Sequence, residues 1–365
     1  MKLKLFAAAL LGVLTLNLAG TAFADVKSKK ALPKNSDLLR LMPEVDAVAI
    51  FDAKRFFSAG LPQLFSANQP ILDEILRSSD ELRSKVGIDL RQFETVTVGA
   101  TVRPGTAAGK YSFDTVFAVR SAMNAADLLA AGKLAANGKY REEKIGERSV
   151  YIFQTKEIAA EHGSKVPSVR PETVDSLVNK VDPDIAVTVF DDKTLLAGDL
   201  EMVKNTLAGT SKADPVLTKF LTARTGRIFS FASKVPAGFE ALVPLDNDEM
   251  AKNLRSIRYL FGGFDINTAG VAVDLAARTA TAADAKELGE MLGGLRMLGS
   301  SLLSSSTTPE LKIASRVVDT AKIVNKGSEV SIDLNIAQAD VDVLIAKLKL
   351  TATGSADTAR TADDK

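Results

Sequence analysis

Several stretches of this chain alternate apolar and polar side chains with a period of two, and that alternation limits the fold more than any other feature. Successive side chains of a strand point to opposite faces, so the period marks strands with one apolar face. In 94–102, Val96, Val98, Ala100 and Val102 share one face, and Thr95, Thr97 and Thr101 the other. In 329–336, Val330, Ile332, Leu334 and Ile336 alternate with Ser331, Asp333 and Asn335, and Val271, Val273 and Leu275 repeat the habit. Strands that bury one face and wet the other belong to antiparallel sheets. The stretches 150–153 and 185–190 are apolar on both faces and read as central strands, with Asp191-Asp192-Lys193 as the turn into 194–197.

Helices with start and stop signals lie between these strands. The stretch 70–86 places Ile71, Ile75, Leu82 and Val86 on one stripe. Asp199 stands at the start of a helix that turns Leu200, Val203 and Leu207 inward and ends before Gly209. Thr281 with Asp284 has the pattern of a capping box. It opens a long helix bearing Leu288, Met291, Leu292, Leu295, Leu298 and Leu302. Thr308-Pro309 opens the next, with Pro at the first helical position. Val341, Leu344, Ile345 and Leu348 line a last one.

The order of elements recurs. A strand at 46–51 is followed by helices, strands at 94–102 and 113–120, a helix at 125–136 and a hairpin at 140–153 turning on Gly146. A strand at 227–232 is followed by a helix, strands at 256–265 and 270–278, helices at 282–304 and 309–321, and a hairpin at 322–336 turning on Gly327. The phrases FDTVFAVRSAMNAADLL and VAVDLAARTATAADAKEL correspond, as do REEKIGERSVYIF and AKIVNKGSEVSIDL. The expected fold is therefore α+β: two tandem modules related by internal duplication, each a meandering antiparallel sheet with helices packed on one face. The N-terminal module covers 38–215 and carries an insertion at 155–184; the C-terminal module covers 216–350.

The two ends read differently. Residues 1–24 have the pattern of a secretory signal peptide. Lys2 and Lys4 precede an apolar run from Leu5 to Leu16, and Ala22-Phe23-Ala24 supplies small residues for cleavage between Ala24 and Asp25. That run is too short for a membrane span of about 20 residues, and no other segment approaches that length. The expected location is the periplasm or the outside of the cell. Residues 25–37 read as a flexible leader and 351–365 as a disordered tail. Cysteine is absent, which excludes a lipid-bearing N-terminal cysteine, disulfides and thiolate chemistry. With 46 Lys and Arg against 45 Asp and Glu, loss of Lys2 and Lys4 leaves one net negative charge. Such a balance steers the chain to neither nucleic acid nor an anionic membrane.

Catalytic chemistry finds little to use. The one histidine, His162, sits in the polar stretch AAEHGSKVPSV and reads as a solvated side chain. No Gly-x-Ser-x-Gly elbow is present. Gly105 to Tyr111 (GTAAGKY) is one residue short of a phosphate loop and has Tyr111 where Ser or Thr binds magnesium. Asp246 and Asp248 place oxygens at alternate positions, as a calcium loop begins, but the glycine and distal glutamate do not follow. A helix cap ahead of Met250 and Leu254 uses these acids better. No metal and no cofactor is expected. Glycoside hydrolysis needs only two carboxylates, so a carboxylate-only hydrolase stands as the alternative to a non-catalytic binding protein. A structural or chaperone-like periplasmic protein is a third reading.

Two apolar features bear on binding. Phe56, Phe57, Leu61, Leu64 and Phe65 surround Gly60 and Pro62, and form either an apolar groove for a lipid or peptide or a core-facing helix start. Gly289, Gly293, Gly294 and Gly299 leave a flat stripe on the long helix, where glycine costs about 1 kcal/mol per residue. Close approach by another part of this chain is expected to compensate. The expected partners are an envelope protein, a peptide or an apolar small molecule. Near-neutral charge and no evident exposed apolar patch fit a monomer.

The phrases LMPEVDAVAIFDAKRFF, GIDLRQFETVTVG, GKYREEKIGERSVYIF and VPLDNDEMAKNLRSIRYL resemble a group of exported bacterial proteins of unknown function, over most of the chain beyond the signal. The group has no assigned activity. The resemblance implies a bacterial envelope setting and carries over no site residues.

Overall fold

The computed structural model describes residues 36–104, 111–155, 184–209, 212–236 and 248–346. The signal segment, the insertion over 156–183 with His162, the loop 105–110, Asp246 and the tail lie outside them. In chain order the elements are α1 (Ser36–Leu39), β1 (Ala47–Phe51), α2 (the helical run 53–64), α3 (Gln69–Val86), β2 (Phe93–Pro104), β3 (Tyr111–Ser121), α4 (Ala125–Ala136), β4 (Tyr140–Ile145), β5 (Arg148–Gln154), β6 (Asp184–Asp191) and β7 (Thr194–Gly198). They continue with α5 (Leu200–Ala208), α6 (Pro215–Thr222), β8 (Phe229–Lys234), α7 (Asp248–Arg255), β9 (Ile257–Asn267), β10 (Gly270–Thr279), α8 (Ala282–Ser304), α9 (Pro309–Asp319), β11 (Lys322–Lys326), β12 (Glu329–Ala337) and α10 (338–346). The described residues divide into two compact units, one of 36–54 and 78–236 and one of 55–77 and 248–346. As expected for an α+β chain, the strand pairs are antiparallel and helices pack on the sheets.

In unit 1 the strands run β8-β1-β2-β3-β7-β6-β5-β4. Val48 opposes Gly99, Gly99 opposes Val116, Val116 opposes Gly198, Gly198 opposes Ala186 and Ala186 opposes Ile152, which fixes one face across the sheet. On it Val48, Val116, Ala118, Ile152, Ala186 and Leu196 are buried. Gly99 makes room there for the chain that leaves α1: a Cβ would stand 3.2 Å from both Met42 Sδ and Val45 Cγ1. Ala213 N–H donates to Met42 O at 3.0 Å, which seats the start of α6 and its buried Leu217, Phe220 and Leu221. The opposite face carries α4, where Ala136 and Phe153 are buried together with Leu129, Tyr140, Tyr151 and Val187 around them. Lys133 Nζ lies 4.1 Å from the Tyr151 ring centre, a cation over an aromatic face.

The alternation in β2 is present, but both of its faces are covered, since Val98 is buried on the valine side as Thr95 and Thr97 are on the other. Thr95 and Thr97 point into the core, with Thr97 fully buried, while Val96 is half-buried. Period two says that two faces differ; whether each is covered depends on what packs there, and a threonine methyl fills a core site almost as valine does. The Thr97 hydroxyl finds no hydrogen-bond partner among the described residues. An unsatisfied buried hydroxyl costs about 1–3 kcal/mol, so Thr97→Val should raise stability by about 1 kcal/mol. A higher urea midpoint at unchanged slope is the expected readout; an unchanged or lower midpoint would refute the orphaned hydroxyl.

Asp199 takes the position of an N-cap for α5, with φ −62° and ψ 136°, but its side chain does not cap the helix. The carboxylate instead accepts from Thr115 N–H and, at 3.3 Å, from Thr115 Oγ1, while Asp199 N–H donates to Thr115 O at 2.9 Å. A local helix signal has been put to use as a clasp between β3 and the exit of β7.

In unit 2 the order is β11-β12-β10-β9. Val273 opposes both Leu334 and Phe264. The apolar positions expected from the alternation face a core, where Ile313, Val317, Ala321 and Leu334 are buried and Val273, Ile332, Ile336 and Leu344 pack half-buried against them, while Asp274 and Ala276 on the other face of β10 are buried as well. The capping box of α8 is formed, with Asp284 N–H donating to Thr281 Oγ1 at 3.1 Å and Thr281 N–H to Asp284 Oδ2 at 3.0 Å. Arg316 of α9 pairs with Asp340 of α10, and this hydrogen-bonded carboxylate holds the guanidinium above its ordinary range. Each unit contains a hairpin, a helical connection and a second hairpin: β2–β3, α4 and β4–β5 in one, β9–β10, α8–α9 and β11–β12 in the other. The second hairpin turns on a glycine at φ +60° in both, Gly146 and Gly327. They differ in that β7 and β6 separate β3 from β5, whereas β12 pairs directly with β10.

Candidate functional site

The apolar run singled out around Gly60 lies in unit 2, in α2. Ala53–Arg55 and Leu61–Leu64 are α-helical and Phe56–Gly60 is a π-helical turn, closed by Leu61 N–H donating to Phe56 O. Pro62 has no N–H to give to the preceding turn, so the chain can widen there without losing a donor. Arg55 Nη2 donates to Asp265 Oδ2 at 2.7 Å, and Gln63 Nε2 donates to Gln338 Oε1 at 3.1 Å. These bonds fasten α2 to β9 and to the start of α10. Asp265 shares its face of β9 with fully buried Phe261. Leu61 is buried, and Phe56, Phe57, Leu64 and Phe65 are half-buried, the first two rings meeting edge-on with centres 5.4 Å apart. The structure thus places Phe56, Phe57, Leu61 and Leu64 on one helical run tied to unit 2's own sheet, with Phe65 just past its end.

Asp248 begins α7, and Asp246 lies outside the described residues. Among the described residues no group of three or more His, Asp or Glu side chains is placed to hold a metal ion.

A second surface stands out on α8. Its first half is buried through Ala285, Leu288 and Gly289, and the Asn325 amide of β11 fills the space that a side chain at Gly289 would need. In the second half, Leu295 is 42% exposed, Met297 67%, Leu298 62% and Leu302 75%. This overturns the expectation of no evident apolar patch. Three contacts fix which side faces inward: Arg296 Nη1 donates to Ala321 O at 3.0 Å, Gly299 faces Val318, and Ser300 Oγ bonds to the Asp319 carboxylate. With those positions turned towards α9, the helical period sends Leu298 and Leu302 outward. Of the glycine stripe, Gly289 and Gly299 are packed against this chain as expected. A Cβ added at Gly293 or Gly294 would meet nothing within 4 Å.

The period of the leucines suggests a core helix, and only the polar residues around them argue otherwise. A helix with one buried face usually carries charge on the other, yet from Met291 to Pro309 this one has a single charged residue, Arg296, among Gly, Ser and Thr. No helix among the described residues is long and apolar enough to cross a membrane.

No family model matches the chain, and no curated protein matches it. Among solved structures, crystal form IV of TP0453 is similar at 11% identity and a TM-score of 0.42, over 84% of this chain and 95% of that one. Crystal form III gives 10% and 0.39 over 85% and 97%, and crystal form I gives 8% and 0.40 over 88% and 99%. At these scores the likeness assigns neither activity nor site residues.

Proposed function

We propose that the chain is an exported, non-catalytic binding protein of the bacterial cell envelope, and that it acts by docking through the outward side of α8. The observation that carries this reading is the exposure of Met297, Leu298 and Leu302, each more than 60% open to solvent on adjacent turns of one helix. Contiguous exposed apolar side chains are uncommon on monomers and mark interaction surfaces. Export is supported by the charged start, short apolar run and small-residue cleavage pattern of residues 1–24. The recurrence of hairpin, helix and hairpin in the two units supports an origin by internal duplication. In this reading α2 is scaffold: Arg55 and Gln63 hold it on unit 2's sheet, where Phe56, Phe57, Leu61, Leu64 and Phe65 contribute packing.

A photoreactive amino acid in place of Leu298, in cells that make the protein, tests this. Light should yield an adduct of defined mass, whether lipid or protein, and a probe at the buried Leu288 should yield none. A folded protein that forms no adduct at position 298 would overturn the reading.

A further inference from the structure

We propose that the partner of this surface is a lipid bilayer, on which the C-terminal half of α8 lies at the headgroup boundary without spanning the membrane. The inference rests on the docking reading above and names the partner for the same surface. Charge is the first argument. Between Glu290 and Glu310 the chain has no acidic residue. Its one cation there, Arg296, is exposed but donates to Ala321 O, on the side of the helix away from Leu298 and Leu302. Along 291–304 no charged residue falls on the side of Leu298 and Leu302 to oppose burial in an apolar medium through ionic desolvation.

The shape of the patch is the second argument. At about 100° per residue, Leu295, Leu298 and Leu302 fall within about 60° of one another, and Met297 lies about 100° to the far side of Leu298. Gly294 and Ser301 fill the gap between them, and both are exposed. The uncharged arc is therefore about 160° wide. A helix that pairs with another helix uses a narrower stripe of two residues in seven, and Met297 would lie outside it. A broad, shallow arc suits a flat surface. Interfacial helices present such an arc to the acyl boundary.

Size is the third. From Met291 to Ser304 the helix is about 20 Å long at 1.5 Å per residue, short of the about 30 Å hydrocarbon core. Four side chains on one helix also fall well below the roughly 800 Å² per partner of a stable dimer. Since 291–309 holds one cation, Arg296, the attraction is hydrophobic. It needs neither anionic headgroups nor low salt.

The experiment is flotation of the purified chain with pure phosphatidylcholine vesicles at low and high salt, beside size measurement in solution without lipid. The chain should float equally well at both salts. The double variant Leu298→Ser, Leu302→Ser should lose at least roughly tenfold of the bound fraction with an unchanged melting curve. The pair Leu298→Phe, Leu302→Phe, which keeps the apolar surface, should restore binding. A wild-type chain that stays off the vesicles overturns the proposal, and so does binding that salt abolishes or that the serine pair retains. A dimer in solution that the serine pair dissociates overturns it in favour of a second copy. If flotation fails while the position-298 probe still captures one defined protein, the lipid partner is wrong and the docking reading stands. If both fail, both fall.

Discussion

Gly198→Ala should destabilise the protein by about 3 kcal/mol or more, a large share of the 5–15 kcal/mol typical of a folded domain. Gly198 ends β7 at φ +142°, a backbone conformation that side chains with a Cβ rarely adopt. An added Cβ would also overlap Thr115 O and stand 2.9 Å from Val116 Cα. Neither neighbour can give way cheaply. Thr115 O accepts from Asp199 N–H, Thr115 N–H donates back to the Asp199 carboxylate, and Val116 pairs with Gly198 in the register of β3 and β7. Equilibrium urea unfolding is the direct measurement. A change within 0.5 kcal/mol would mean that β3 and β7 are not joined in this register.

Phe261→Ala should lose about 3–5 kcal/mol, the usual loss when a buried aromatic leaves a cavity. The Phe261 ring is fully buried on β9, on the face that carries Asp265 and so the attachment of Arg55. Hydrogen exchange in 55–65 should therefore quicken along with the loss of global stability. Leu302→Ala gives the contrast: this side chain is 75% exposed, and its removal should change stability by less than about 0.5 kcal/mol. If the two leaves were reversed, with Leu302 costly and Phe261 cheap, the assignment of inside and outside in unit 2 would be wrong.

What the sequence made legible follows from the range over which each signal acts. The Thr281–Asp284 box, the hairpins on Gly146 and Gly327 and the Asp191 turn are decided by residues within four positions of one another, and each forms as read. Alternation in β12 also predicts its buried face, because Ser331, Asp333 and Asn335 are costly to cover. Thr95 and Thr97 carry no such penalty, so β2 can be covered on their side as well as on that of Val98, and residues 42–45, far off in sequence, provide that cover. Asp199 shows the same limit: a good cap in local terms is claimed by Thr115, 84 positions away. The exposed side of α8 escaped notice because five leucines at helical spacing read as core. Their uncharged Gly and Ser neighbours were the signal that could have exposed it.

The order of strands in unit 1 also has a consequence in time. β1 lies between β2 and β8, and β8 is roughly 180 residues further along the chain. A chain that emerges N-terminus first exposes β1 well before those residues follow. Until then β1 has one edge with no native strand to receive it, and such edges invite pairing with the wrong strand. Closing so large a loop also slows folding relative to chains with local contacts. The first strand made in this unit is therefore among the last to be completed.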